Sequence, residues 1–159
     1  MEINLKYEDM VNNTVSFYMN LGVSIPKKYI KIAVASLTMP DFAYCYNSKQ
    51  SLLSNKNKIH DHTALATVGD AVLSAYLMIK KYEDGVTKDM LTNEKQILKN
   101  DHLNIVGEKL LKNNLFAYNN DIKDGNKKDY ATAFEAVIGF ISLLGIKKVF
   151  KILDERIEM

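Results

Sequence analysis

Two carboxylates stand inside stretches where solvation alone gives no reason for a charge. The segment from His62 to Tyr76 reads HTALATVGDAVLSAY, and Asp70 interrupts its apolar pattern directly after Gly69. Far downstream, Tyr130 to Leu144 reads YATAFEAVIGFISLL, with Glu135 as its only acidic residue. Carboxylates are seldom buried unless paired or bound to a cation, so each of these is either at a helix surface or part of a polar site. Two such helices side by side would bring two oxygen donors together. A hard divalent cation wants several oxygens, and waters and substrate phosphates would have to complete its shell. The alternative is a pair of unrelated edge or capping carboxylates.

The elements that have to position these groups are helical. Leu65, Val68, Val72, Ala75 and Tyr76 recur at helical spacing, and Ala66, Ala71 and Ala75 let neighbouring helices come close. In the second stretch Ala133, Phe134, Val137, Ile138, Ile141 and Leu144 mark a helix that is apolar around much of its circumference. The same periodicity predicts an amphipathic helix from Met1 to Leu21, ended near Gly22, and another from Lys27 to Thr38, closed by Pro40. Phe42, Tyr44 and Tyr46 alternate with smaller side chains, which predicts an extended or turn-like crossing. Asn47 to Asp61 reads as a polar, lysine-rich loop around a short helical piece, and the Asp70 helix runs to Lys80 or Lys81 before an Asp84-Gly85 turn. Thr87 caps an expected helix from Lys88 to about Lys99, and Asn100 or Asp101 opens the next, with Leu103, Val106, Leu110 and Leu111 inward. Gly107 in that helix permits close packing. Phe116 to Lys128 reads as a surface loop, and Gly145 precedes a last helix with Ile146, Val149, Phe150, Leu153 and Ile157 on one side.

These readings add up to one all-α domain over residues 1–159, with 1–26 an N-terminal helical extension of it. Cys45 is the only cysteine, which excludes an intrachain disulfide and a cysteine-based zinc cluster. His60 and His62 flank Asp61, a trio better explained by helix capping and loop hydrogen bonds than by metal binding. No basic start leads into an apolar run at the N-terminus, and no span is expected to approach bilayer length, so a cytoplasmic protein with no membrane partner is expected.

Formal net charge is only +2, and Arg156 is the single arginine among many lysines. Lysines contact phosphates as mobile point charges, whereas bidentate reading of guanine usually calls for arginine. Any nucleic acid bound here would be recognised by shape and backbone rather than by base sequence. Lys123, Lys127 and Lys128 precede the Glu135 helix, so a phosphate track is expected beside it; a solvated loop accounts for three lysines equally well.

The ordered segments LATVGDAVLSAYL and ATAFEAVIGFISLLG resemble the ribonuclease III catalytic domain. In that family a Gly-Asp-Ala-Val helix is followed much later by one carrying Phe-Glu-Ala and an Ile-Gly pair. The likeness continues more weakly through AVASLTMPDFAY and LTNEKQILKNDHLNIVGEKLL, covering roughly residues 30 to 155. Two family acids are replaced, one by Ala66, four residues before Asp70, and one by Thr132, three before Glu135. Both replacements resemble the Mini-III branch, which has no double-stranded RNA-binding domain. The N-terminal part is longer than the Mini-III pattern, and lysines stand where that branch has an arginine-rich loop.

The resemblance implies a ribonuclease III-like helical endonuclease that hydrolyses double-stranded or structured RNA, with a ribosomal RNA precursor as substrate and 5′ phosphate and 3′ hydroxyl ends. Asp70 and Glu135 carry over as the catalytic, metal-holding pair for magnesium, with manganese as a substitute, and Thr132 as a supporting residue. RNA contacts are expected at Lys123, Lys127 and Lys128, with Lys56 and Lys58 as an outer patch. A homodimer is implied, built on Ala64, Leu65, Thr67, Val68 and Leu73, positions that a monomer core would explain equally well. The rival functions are a catalytically inactive RNA-binding or ribosome-assembly protein on the same fold, and a purely structural helical interaction protein.

Overall fold

Helical periodicity governs the described part of the chain. The computed structural model describes residues 5–50, 58–85, 87, 100–118 and 129–157. They form α1 (Tyr7–Asn20), a 3-10 turn (Lys27–Tyr29), α2 (Ile30–Ser36), α3 (Pro40–Gln50), α4 (Thr63–Glu83), α5 (Asn100–Leu111), α6 (Asp129–Leu144) and α7 (Ile146–Glu155). Among the described residues there is no strand, only an isolated bridge between Thr38 and Phe116, so the expected all-α class holds there. The expected helix from Lys88 to Lys99 lies outside the described residues, as do Lys56, Lys123, Lys127 and Lys128.

A helix that is apolar all round has to be wrapped by others, and α6 is wrapped. Ala131, Ala133 and Phe134 are buried, as is the whole run from Ala136 to Ile141. Helices α2, α4, α5 and α7 all pack against it. Gly107 of α5 meets the start of α6 closely: a Cβ there would lie 2.3 Å from the Tyr130 carbonyl oxygen. The N-terminal helix joins the same core through Met10, Phe17 and Tyr18. The Tyr18 ring lies 4.8 Å from that of Phe140, and its hydroxyl is hydrogen-bonded to Ser36 Oγ at 2.6 Å. The helix stops where Gly22 takes φ +77, letting the Val23 amide donate to the Tyr18 carbonyl and the Gly22 amide to that of Met19.

Three expectations fail for identifiable reasons. Pro40 opens α3 instead of closing α2, which ends at Ser36; at a first helical position its missing N–H has no partner to lose. The alternation of Phe42, Tyr44 and Tyr46 concealed an i, i+4 pair: Phe42 and Tyr46 are buried and stack at 6.2 Å, while Tyr44 is exposed. Phe116 is core, not surface loop, because its amide donates to the Leu37 carbonyl and its own carbonyl accepts from the Met39 amide. In α7, Val149 and Leu153 are buried but Ile146 is exposed.

The longest helix departs from expectation too. By length and composition alone α4, with 21 residues, is long and apolar enough to cross a membrane. Only 22% of its apolar stretch is buried inside the protein, so much of its surface faces outward.

Candidate active site

Small residues decide where Asp70 and Glu135 end up. Helices α4 and α6 cross with their backbones in contact at two glycines. A Cβ on Gly69 would lie 1.7 Å from the Glu135 carbonyl oxygen, and one on Gly139 would lie 2.1 Å from that of Leu65. Both distances are far inside van der Waals contact, so no side chain fits at either position. Asp70 follows Gly69 directly, and the Gly69 Cβ position abuts the backbone of Glu135 itself. The crossing therefore brings together two carboxylates that stand 65 positions apart in the chain.

Their environments differ. Asp70 is exposed, whereas Glu135 is half-buried. Burial, followed by the charge of Asp70, pushes the Glu135 carboxyl up to about 7. Neither carboxylate has an ion-pair partner among the described residues. Two adjacent acids of which one resists ionisation at neutral pH form a site that a proton or a cation relieves. Among the described residues no group of three or more metal-ligating side chains occurs, so Asp70 and Glu135 are the two carboxylates that the described part of the chain offers there.

Thr132 lies one turn before Glu135 and is half-buried. It lines a cavity of about 300 Å³ where the first turns of α3, α4 and α6 converge, together with Asp41, His62, Thr63 and Asp129. Sequence reasoning missed Asp41 and Asp129, because residues drawn from three separated helix starts carry no spacing signal. Ala66, the other replaced position, is buried, so a longer acidic side chain there would have to enter the core. Within the His60-Asp61-His62 trio, Asp61 and His62 make local contacts. The Asp61 carboxylate accepts from the Thr63 amide at 2.9 Å and from its hydroxyl. Burial opposes ionisation of Asp61, but these bonds hold it below the usual carboxylate range. His62 is buried with Nε2 3.1 Å from Met39 Sδ.

The outward face of α4 carries Ala64, Thr67 and Val68, all exposed, with Leu65 half-buried. Leu73 is a correction: it is 0% exposed, inside the protein's own core, and is not available to a partner. The exposed stripe continues instead through Ala71, Ile79 and Tyr82. Extending the i+3 and i+4 steps from Val68 would have found it. Of the lysines expected to contact RNA, Lys58 is described and is exposed.

Comparison with protein-family models and with curated proteins finds no match for this chain.

Proposed function

We propose that this protein is a magnesium-dependent endoribonuclease of the ribonuclease III type, closest to the Mini-III branch, acting as a homodimer on double-stranded or structured RNA. The observation that carries the reading is the helix crossing at which Gly69, next to Asp70, abuts the backbone of Glu135, with the Glu135 carboxyl pushed up to about 7 by burial and by the charge of Asp70. Two oxygen donors with no cationic side chain beside them among the described residues suit a hard cation that keeps most of its waters. Asp70 and Glu135 would hold it. When bound, magnesium supplies an activated water and neutralises charge developing on phosphate oxygens.

The chain's own groups have separable tasks. Asp70, exposed, presents its carboxylate to solvent and substrate. Glu135, half-buried, has to give up a proton near neutral pH before it can serve as an anionic donor. Thr132, one turn away on the same helix, offers a hydroxyl where the wider family has an acid, and so orients water without adding charge. The exposed apolar stripe from Ala64 to Tyr82 supports the dimer, since a partner helix would remove it from water. Duplex RNA is then recognised through phosphates and 2′ hydroxyls rather than base edges.

The test is cleavage of duplex RNA and of structured ribosomal RNA with and without magnesium, by wild type, Asp70→Asn and Glu135→Gln. Loss in both variants with folding and RNA binding retained is the expected result, and 5′ phosphate and 3′ hydroxyl ends should be found. A wild-type protein that binds duplex RNA but cleaves none would instead fit the inactive RNA-binding function.

A further inference from the structure

The last helix carries its charges the wrong way round for its own stability. Lys147 and Lys148 stand in the first turn of α7, and Asp154 and Glu155 in its last. The macrodipole favours the opposite arrangement, and Lys147 and Lys148 also stand four and three residues from Lys151, a like-charge spacing that costs further. All three lysines are exposed, and none has an ion-pair partner among the described residues. Asp154 is engaged elsewhere: it accepts from the Tyr76 hydroxyl at 2.7 Å and pairs with Lys80 at 2.9 Å.

Lys148 and Lys151 wall a cleft of about 260 Å³ between α7 and the turn that ends α1, together with Arg156 and one carboxylate, Glu155. Arg156 is the only arginine in the chain, and its guanidinium Nη2 would lie 3.9 Å from a Cβ on Gly22, at the mouth of that turn. It also borders a second cleft, of about 580 Å³, shared with Lys109 and with two carboxylates, Asp154, which is engaged by Tyr76 and Lys80, and Glu155. A guanidinium between two openings, flanked by unpaired lysines, matches a chain of phosphates better than a single anion.

We infer that this face of α7, formed by Lys147, Lys148, Lys151 and Arg156, is a docking surface for the phosphodiester backbone of duplex RNA. The inference rests on the nuclease reading for its choice of partner. Helix α7 packs on α6, and its Phe150 ring meets Tyr76 of α4 at 5.1 Å, so the helix that carries this surface adjoins both helices that carry Asp70 and Glu135. None of these residues lies in the lysine-rich loops from which sequence suggested RNA contacts.

The experiment is fluorescence anisotropy of a labelled duplex RNA in EDTA, titrated with full-length protein across a series of KCl concentrations. Lys148→Gln/Lys151→Gln/Arg156→Gln should weaken binding about tenfold or more and lower the slope of log K against log salt by roughly two to three, about 0.9 for each lost phosphate contact. The charge-keeping variant Lys148→Arg/Lys151→Arg/Arg156→Lys should bind like wild type, separating charge from any folding defect. Unchanged affinity and slope in the glutamine variant overturn the surface, and if wild type still cleaves duplex with magnesium, the nuclease reading stands alone. The expected loss in a wild type that never cleaves leaves the surface and removes the nuclease. Failure of wild type to bind duplex overturns both. Weaker binding of the glutamine variant to phosphatidylglycerol vesicles, with RNA binding unchanged, overturns the choice of partner.

Discussion

The coupled carboxylates make a prediction about stability that is independent of any reaction. Glu135 stands at about 7 in the folded protein against 4.5 for an ordinary glutamate, so the native state holds its proton more tightly than the unfolded chain does. Below pH 4.5 both states are protonated and the native state bears no penalty. Between 4.5 and 7 the unfolded chain ionises first, stability falls, and above 7 it levels off. A shift of that size has a ceiling of about 3.5 kcal/mol, at about 1.4 kcal/mol per pH unit. Because Glu135 is only half-buried, solvent screening brings the expected loss to roughly 1–2 kcal/mol. For a chain of this length that is about 2–8 °C in melting temperature.

The assay is thermal unfolding by circular dichroism in EDTA at pH 5 and pH 8, with Glu135→Gln as reference. Wild type should lose roughly 1–2 kcal/mol more than Glu135→Gln over this range, and the variant should be the more stable protein at pH 8. Asp61 and Asp154 do not confuse the result. Both are held below the usual range, Asp61 by bonds from Thr63 against the effect of burial, and Asp154 by Lys80 and Tyr76. Their contributions are lost only in stronger acid and are common to both proteins. Identical pH dependence in the two proteins would refute the placement of Glu135 beside Asp70 in a partly desolvated crossing.

Gly69→Ala and Gly139→Ala should each cost at least about 3 kcal/mol in urea unfolding, because the new methyl meets backbone that cannot rotate away; a cost under about 1 kcal/mol in either would mean the helices do not touch there. Leu73→Ala should cost about 2–5 kcal/mol, whereas Val68→Ala, on the exposed face, should change unfolding of the dilute protein by under about 1 kcal/mol. Val68→Glu should leave the fold intact and shift sedimentation toward monomer, and a wild type that is monomeric throughout its active concentration range would remove the dimer. Phe42→Ala and Tyr46→Ala should each cost about 3 kcal/mol or more, where an exposed crossing would cost little.

Sequence by itself determined the helical class, the two apolar helices and the carboxylate in each. It also marked the turns at Gly22 and Gly85, which take φ +77 and +81, and the break at Gly145. These are local matters: periodicity, glycine conformation and an out-of-place charge are all written within one or two turns of chain. The tertiary structure alone decided what required two distant segments. It showed that Gly69 and Gly139 leave no room for a Cβ and so bring Asp70 to Glu135, that Leu73 faces inward while Ala71 and Ile79 face out, and that Phe116 pairs with the Leu37–Met39 segment between α2 and α3. A helical repeat specifies which residues share a face but not which face finds a neighbour, because that depends on the closest approach of backbones far apart in sequence.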